Sequence, residues 1–352
     1  MKKRYAFMDV IRLVSMLGIV YYHMLISLYL TGIRQYESVS PLFENTNIHI
    51  AKIAVGLFFM ISGAGLMMSY KERELKLKDY YLKRFTRILI PFYLVYVLYL
   101  ITFMLLTHEK LSGIYSKDAS PFSFIFTLLG MDAYVSSFGI PTFSLGIGEW
   151  FLGALVLMYI VFPILCFGLK KQKWVTLGIM TIYYIVILVT YQYMPYKDIV
   201  PGYVNFTCKV YEFFLGMFVV MVIDQINQWV SLGIGTGVII FALIYPYKIM
   251  INENLLVLIV NIAFFMFFMG LEKFFSSNKI TGVIKAVTYL CGFTYEFFLI
   301  HHVVIDYMTL QHIGVPFSNK EIPLLFIQEF LVISVLTVIV KEILRLPKRI
   351  KR

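Results

Sequence analysis

The chain has 352 residues, of which 60% are hydrophobic, 17% aromatic and 14% charged. Soluble domains carry roughly 45–50% apolar and about 25% charged residues, so this composition excludes a water-soluble enzyme, a disordered chain and a disulfide-stabilised secreted domain. Lys and Arg outnumber Asp and Glu by 31 to 20, a net charge of +11, which in a membrane protein reports topology rather than nucleic-acid binding. The composition predicts a polytopic membrane protein with no nucleic-acid partner.

Apolar runs of about 20 residues, long enough to cross the hydrocarbon core, predict the transmembrane helices. The segment 121–131 is too short to cross and favours an interfacial or re-entrant piece. Lys209 and Glu212 interrupt the run 206–223 and make it the least regular. With no internal repeat, we expect one domain, residues 1–352, folded as an all-α bundle of about ten transmembrane helices. The ten runs are 6–30, 50–70, 88–107, 149–169, 174–194, 206–223, 230–247, 254–271, 283–308 and 323–344.

The distribution of basic residues predicts the orientation of the bundle. If the N-terminus is cytoplasmic, the inner loops and their flanking helix ends hold 22 Lys and Arg, against eight on the opposite side. This asymmetry follows the positive-inside rule, and ten spans place both termini in the cytoplasm. The basic N-terminus imitates a signal peptide, but the run behind it contains Asp9 and Arg12 and lacks a cleavage site. We therefore expect a retained first helix and a multi-pass protein of the cell membrane.

The first predicted helix holds three ionisable residues, Asp9, Arg12 and His23. Such residues cost free energy inside a membrane unless they face protein or water, which makes each a functional candidate. Asp9 and Arg12 are three apart and can pair on one helix face. Arg12 and His23 are eleven apart, which returns to the same face roughly 16 Å further along the axis. The alternatives are that Arg12 extends to the interface and that His23 makes an interhelical hydrogen bond.

Two further features lie in the next two helices. Arg84 and Arg87 are three apart, so both guanidinium groups can bind one ligand at the cytoplasmic mouth, where arginine suits bidentate phosphate contacts. The alternative is that they only anchor the topology. In the second helix, Ser62 and Gly63 either let helices approach closely or line a ligand passage, and composition favours close packing.

Polar residues near the outer surface form a third group. Glu149 can orient a sugar hydroxyl with Trp150 as a stacking face, or both can be interfacial side chains. His301, in the ninth predicted helix, either completes a channel or ties helices together through a hydrogen bond, and we favour the second. His301 and His302 are adjacent and so should point to different helix faces, and we therefore expect no metal site.

Five short motifs follow one another from residue 9 to residue 301 and together resemble acyltransferase family 3 of membrane proteins. Two positions depart from the family pattern, because Thr294 replaces Ser and Phe298 replaces Tyr. The second change removes a hydroxyl that the family usually carries. The motifs are Asp9-Val-Ile-Arg12 followed by His23, Phe58 to Gly63, Arg84 to Arg87 followed by Pro91, Trp150-Phe151-Leu152, and Thr294 to His301.

The resemblance implies transfer of an acyl group, usually acetyl from cytosolic acetyl-CoA, to a hydroxyl of an extracytoplasmic or lipid-linked cell-surface glycan. Histidine suits the central step because its unperturbed pKa near 6.5 lets it exchange protons near neutral pH, as a base or as a carrier of the acyl group. The implied catalytic residues are His23, Asp9 and Arg12, the implied donor-binding residues are Arg12, Arg84, Arg87, Ser62 and Gly63, and the implied acceptor-binding residues are Glu149, Trp150, Tyr295 and His301.

Many family members carry a C-terminal extracytoplasmic esterase-like domain that handles the acceptor. No such region follows the tenth predicted helix, so we expect the acceptor to bind the membrane core and outer loops, or to be delivered by a partner protein. Two other functions remain open. A polysaccharide or small-molecule exporter is disfavoured by the lack of evident inverted repeats, and a structural or sensory module leaves Arg12 and His23 unexplained.

Overall fold

The computed structural model describes residues 4–108 and 118–350. Over this part of the chain the structure contains helices and no β-strand, which confirms the predicted all-α fold. Ten main helices are α1 (Ala6–Leu30), α2 (Ile50–Tyr70), α3 (Leu77–Thr107), α4 (Glu149–Thr190), α5 (Phe206–Val222), α6 (Gln228–Ile244), α7 (Glu253–Gly270), α8 (Thr281–Leu290), α9 (Thr294–Leu310) and α10 (Ile322–Ile350).

The number of membrane spans depends on how α4, α6, α8 and α9 are counted. Within the described residues, seven helices are long and apolar enough to cross a membrane, or eight if α8 and α9 form one bent span. Helix α4 runs for 42 residues through two predicted spans, with a non-helical Gln172 (φ −151°, ψ 77°) between them. Helix α6 has only 17 residues. Counting α4 as two spans and adding α6 gives the predicted ten, which remains a prediction.

Helix α3 begins earlier than the apolar pattern predicts, at Leu77 rather than at residue 88. Its 31 residues span about 46 Å, more than the roughly 30 Å hydrocarbon core. Arg84 and Arg87 therefore lie on the helix itself, in the part that extends beyond the core. The segment 121–131 forms only short helical turns, as its length predicts.

The prediction of one continuous helix over 283–308 is wrong. Helices α8 and α9 are separated by a three-residue turn, and their axes are bent by 64°. Two contacts hold the bend from opposite sides. Thr288 Oγ1 donates to the Asp9 carboxylate at 2.8 Å, and Lys341 Nζ binds Glu296 at 3.1 Å. The apolar run alone predicts a straight span because it carries no information on these distant partners.

The two charges that interrupt helix α5 form an internal ion pair. Lys209 Nζ lies 2.7 Å from Glu212 Oε1, and each side chain is only 3% exposed. Asn261 of α7 donates a hydrogen bond to the same carboxylate oxygen at 3.1 Å. Burial of a charge is tolerated where it is paired and hydrogen-bonded, so α5 remains a regular helix.

Helix α1 lies between two apolar cores. One is built mainly from α2, α4, α5 and α7, and the other from α3, α9, α10 and the outer half of α1. The most extensive helix contact joins α2 to α5, and α1 packs against both α2 and α9. This arrangement brings residues of α1, α9 and the start of α4 to one place.

Candidate active site

Three histidines surround one carboxylate oxygen in the interior of the bundle. Glu149 Oε1 lies 3.4 Å from His23 Nε2, 3.2 Å from His301 Nε2 and 3.3 Å from His302 Nε2. No two of the four ligand-type atoms are more than 4.8 Å apart. We call this group the His/Glu centre. It joins helix α1, the first residue of α4 and helix α9, and His301 is 1% exposed.

Glu149 is held in the centre by an unusual backbone. It is the first residue of α4 and has a φ of 45°, which non-glycine residues rarely adopt. Gly148 before it has a φ of 77°. Such a conformation costs on the order of 1–3 kcal/mol and is retained at functional sites. The helix N-terminus also favours the negative charge of the carboxylate, so the chain stabilises an ionised Glu149 beside the imidazoles.

Two of the imidazole rings are fixed by a second contact at their other nitrogen. His301 Nδ1 donates to the carbonyl oxygen of Phe298 at 2.6 Å, and its Nε2 lies on the side of Glu149. His302 Nδ1 lies 3.4 Å from Asp306 Oδ2, and Ser27 Oγ donates to the other oxygen of Asp306 at 3.1 Å. These contacts determine which way each ring faces.

A cavity of about 230 Å³ opens onto the centre. His23 and Glu149 lie in its wall, and the remaining wall is largely apolar and aromatic. This combination of an apolar wall and a few convergent polar groups is typical of a small-molecule site. The wall includes His23, Glu149, Trp150, Tyr203 and Phe298.

The structure corrects the interpretation of the adjacent histidines. His301 and His302 were expected to point to different helix faces, yet both place Nε2 within 3.3 Å of Glu149 Oε1. Consecutive residues of a helix are rotated by about 100°, but the start of α4 approaches between the two directions. The adjacency of His301 and His302 in the sequence therefore gives no reason to exclude a metal site.

The three predicted arginines lie in the same region as Tyr159 of helix α4. This tyrosine lies within electrostatic range of Arg12, Arg84 and Arg87. The Nε atom of Arg84 is buried without a hydrogen-bond partner among the described residues. We call Arg12, Arg84 and Arg87 the arginine cluster. Arg12, the member of the cluster that lies on α1, is roughly 16 Å from His23 along the helix axis.

Asp9 pairs with Arg12 as its spacing predicts, with 3.3 Å between Oδ1 and the guanidinium nitrogen. Its second oxygen binds Arg4 at 2.7 Å and accepts from Thr288. Asp9 lies fourteen residues before His23, about 21 Å along the helix, and does not reach the His/Glu centre. It ties the start of α1 to the broken helix.

Two other predicted residues have structural contacts. A Cβ on Gly63 would lie 2.0 Å from the carbonyl oxygen of Phe213, so this glycine, next to Ser62, permits close packing of α2 against α5. Tyr295 donates its hydroxyl to the carbonyl of Ile88 at 2.9 Å. The structure therefore favours the packing interpretation of Gly63 and does not bring Tyr295 to the cavity.

Sequence reasoning placed neither His302 nor Asp306 in the candidate site. Asp306 follows His302 by four residues, a spacing at which helical side chains meet. That spacing, next to a buried His301, is the signal that would have identified both residues. No local sequence pattern indicates that Glu149 meets all three histidines, because those histidines lie on other helices.

Comparison with known proteins agrees with the motifs. The acyltransferase domain model of acyltransferase family 3 matches residues 5–344, which include the His/Glu centre and the arginine cluster. No curated protein and no solved structure matches the chain. The apolar helices and the family together indicate a multi-pass membrane acyltransferase. Because the match covers nearly the whole chain, the protein belongs to acyltransferase family 3.

Proposed function

We propose that the protein moves an acyl group, in the first instance acetyl, from cytosolic acyl-CoA to a hydroxyl of an extracytoplasmic or lipid-linked cell-surface glycan. The observation that carries the proposal is the His/Glu centre at the base of the 230 Å³ cavity. It supplies imidazoles able to take a proton from a hydroxyl and a carboxylate able to stabilise the resulting cation.

The donor end of the proposal rests on the arginine cluster. Guanidinium groups bind phosphate through paired, charge-assisted hydrogen bonds, so Arg12, Arg84 and Arg87 suit the phosphates of CoA. With the phosphates held there, the pantetheine arm carries the thioester toward His23. The positive-inside distribution of basic residues assigns this end to the cytoplasm, where acyl-CoA is found.

The reaction balances with His23 as the base. Its Nε2 accepts the proton of the acceptor hydroxyl, the oxygen forms a bond to the thioester carbonyl carbon, and the carbon–sulfur bond breaks. The leaving thiolate of CoA then takes the proton from the imidazolium, which Glu149 stabilises meanwhile at 3.4 Å. In the covalent alternative His23 first takes the acyl group from CoA and then passes it to the hydroxyl.

The acceptor end rests on the aromatic wall of the cavity. Trp150 and Tyr203 offer flat faces against which a sugar ring can pack, and Phe298 leaves this wall apolar where the family usually has a hydroxyl. A second cavity of about 630 Å³, lined by apolar side chains of α1, α2, α7 and α10, suits a hydrocarbon chain. This apolar cavity supports a membrane lipid as a partner and a lipid-linked sugar as the acceptor. A partner protein can also deliver the glycan.

The test supplies labelled acetyl-CoA to cell membranes that contain the protein and measures base-labile label in extracted glycans. His23→Gln, which retains a hydrogen bond but does not cycle a proton near neutral pH, should lower transfer by about 10²–10⁴-fold. His312→Gln is the matched control and should transfer normally. Transfer by His23→Gln at the parent rate would contradict the role of His23.

The donor site has its own readout. Replacement of Arg84 and Arg87 by Ala should raise the KM for acyl-CoA, because each charge-assisted phosphate bond contributes roughly 1.5–3 kcal/mol. Replacement by Lys should restore affinity only in part, since the planar fork is lost. If the KM of the variant were unchanged at normal expression, Arg84 and Arg87 would serve only to anchor the membrane topology.

A further inference from the structure

The four polar side chains of the His/Glu centre approach one another closely but are not joined by aligned hydrogen bonds. Glu149 Oε1 and His301 Nε2 are buried and have no hydrogen-bond partner among the described residues, although they lie only 3.2 Å apart. If an imidazole N–H pointed at the carboxylate, one such bond would be present. The four atoms instead lie within 4.8 Å of one another, each unbonded to the others.

The separations suit four ligands around one metal ion. A tetrahedral zinc site with bonds of about 2.0–2.1 Å has ligand atoms about 3.3 Å apart. The three distances from Glu149 Oε1 to the histidine nitrogens are 3.2, 3.3 and 3.4 Å. The remaining separations do not exceed 4.8 Å, so the histidine nitrogens would approach one another as an ion binds.

The outer contacts of the histidines are those of metal ligands. A histidine that binds a metal almost always donates its other ring N–H to a backbone carbonyl or a carboxylate. His301 has the carbonyl of Phe298 at 2.6 Å, and His302 has the carboxylate of Asp306 at 3.4 Å. Three imidazoles with one carboxylate favour zinc and neighbouring transition metals over Mg²⁺ and Ca²⁺.

We infer that His23, His301, His302 and Glu149 form a binding site for one divalent transition-metal ion, and that the metal-bound protein is inactive in acyl transfer. Four protein ligands complete a tetrahedron and leave no position for substrate, whereas catalytic zinc sites keep one open. The ion also occupies the lone pair of His23. Metal binding does not depend on the proposed function, but the loss of transfer rests on it.

Binding is tested with Co²⁺ on the full-length chain, purified in detergent and treated with a chelator. We expect one Co²⁺ per chain, the visible absorption of four-coordinate cobalt, displacement by Zn²⁺ and none by Mg²⁺. His302→Gln should lose the absorption, and His312→Gln, the matched control, should keep it. Melting curves without metal establish that both variants fold, and Zn²⁺ should raise the melting temperature of the control only.

A second variant tests Asp306, which contacts the ligand His302, rather than a ligand itself. Asp306→Asn retains all four metal ligands but removes the carboxylate behind His302. Loss of such a contact typically lowers metal affinity about 10–100-fold, and we expect a Co²⁺ dissociation constant raised to that extent. An unchanged dissociation constant, or absence of Co²⁺ binding by the parent chain, would overturn the metal site.

Transfer is measured on the same samples. Stoichiometric Zn²⁺ should abolish transfer from acetyl-CoA, and a chelator should restore it. Zn²⁺ binding with transfer unchanged would overturn the inhibition. Absence of transfer in both the metal-free and the metal-bound protein, with Co²⁺ still bound as expected, would contradict the proposed function and leave the metal site standing.

Discussion

At the scale of single residues, Gly148 and Glu149 determine where the carboxylate of the His/Glu centre lies. Gly148 has a φ of 77°, and a Cβ on it would lie 2.7 Å from Leu152 Cδ2. Both the left-handed backbone and this contact exclude a larger residue without rearrangement. The turn before α4 therefore depends on glycine to present Glu149 to three histidines.

Gly148→Ala should destabilise the protein by more than Gly146→Ala. Gly146 also has a positive φ, 73°, but a Cβ on it would meet nothing within 4 Å. Gly146→Ala should therefore show only the cost of the left-handed backbone, roughly 1–2 kcal/mol, and Gly148→Ala that cost plus the clash. Thermal unfolding in detergent measures both, and equal losses would refute the contribution of the clash.

Asp132, in the short helix Asp132–Ser136 outside the membrane-spanning helices, should make stability depend on pH. Burial raises the pKa of its carboxyl from 3.8 to about 6, although the N–H of Ala133 donates to it at 2.8 Å. Because the folded-state pKa is the higher one, the stabilising contribution is complete below about pH 3.8 and is lost as the pH rises through 6.

Asp132→Asn keeps the acceptor for Ala133 but does not ionise. Relative to the parent chain, the variant should therefore gain stability between about pH 4 and pH 7, by up to about 3 kcal/mol. Melting temperatures of both proteins at several pH values provide the measurement. A difference between them that does not change with pH would contradict the prediction.

At the scale of the helices, buried charges join elements rather than interrupt them. Lys209 and Glu212 satisfy each other within α5 and bind Asn261 of α7. Asp9 and Lys341 hold the bend between α8 and α9. That bend sets the direction of α9 and so the position of its two histidines relative to Glu149.

Lys209→Met should destabilise the protein by about 3–5 kcal/mol, because it leaves a buried carboxylate without its partner. The double change Lys209→Met with Glu212→Gln should recover most of this loss, since no buried charge remains and Asn261 still has an acceptor. Unfolding of the parent, single and double variants gives the comparison. A double variant as unstable as the single one would argue against an ion-pair role.

At the scale of the whole molecule, the proposed function requires the arginine cluster to face the cytoplasm and the cavity to face outward. Cysteines placed at Lys78 and Gln172 should be shielded from an impermeant thiol reagent in intact cells, whereas one at Lys248 should react. All three positions are exposed, and the parent chain is the control. Labelling at Lys78 from outside would reverse the orientation and remove the cytoplasmic donor site.

The sequence by itself determined the all-α membrane class, most of the helical segments, the pairing of Asp9 with Arg12 and the family. These properties follow from apolar run length, from the helix period and from short motifs, all of which are local. The arginine cluster was also predictable, because each arginine lies near the predicted cytoplasmic end of its helix.

Only the tertiary structure decided how the distant polar groups meet. The carboxylate of Glu149 with His23, His301 and His302, and the broken helix held by Asp9, depend on helices far apart in sequence. The period of a helix states which residues share a face but not which helix lies against that face. The angle and approach of packed helices supply that information, because they arise from the whole bundle.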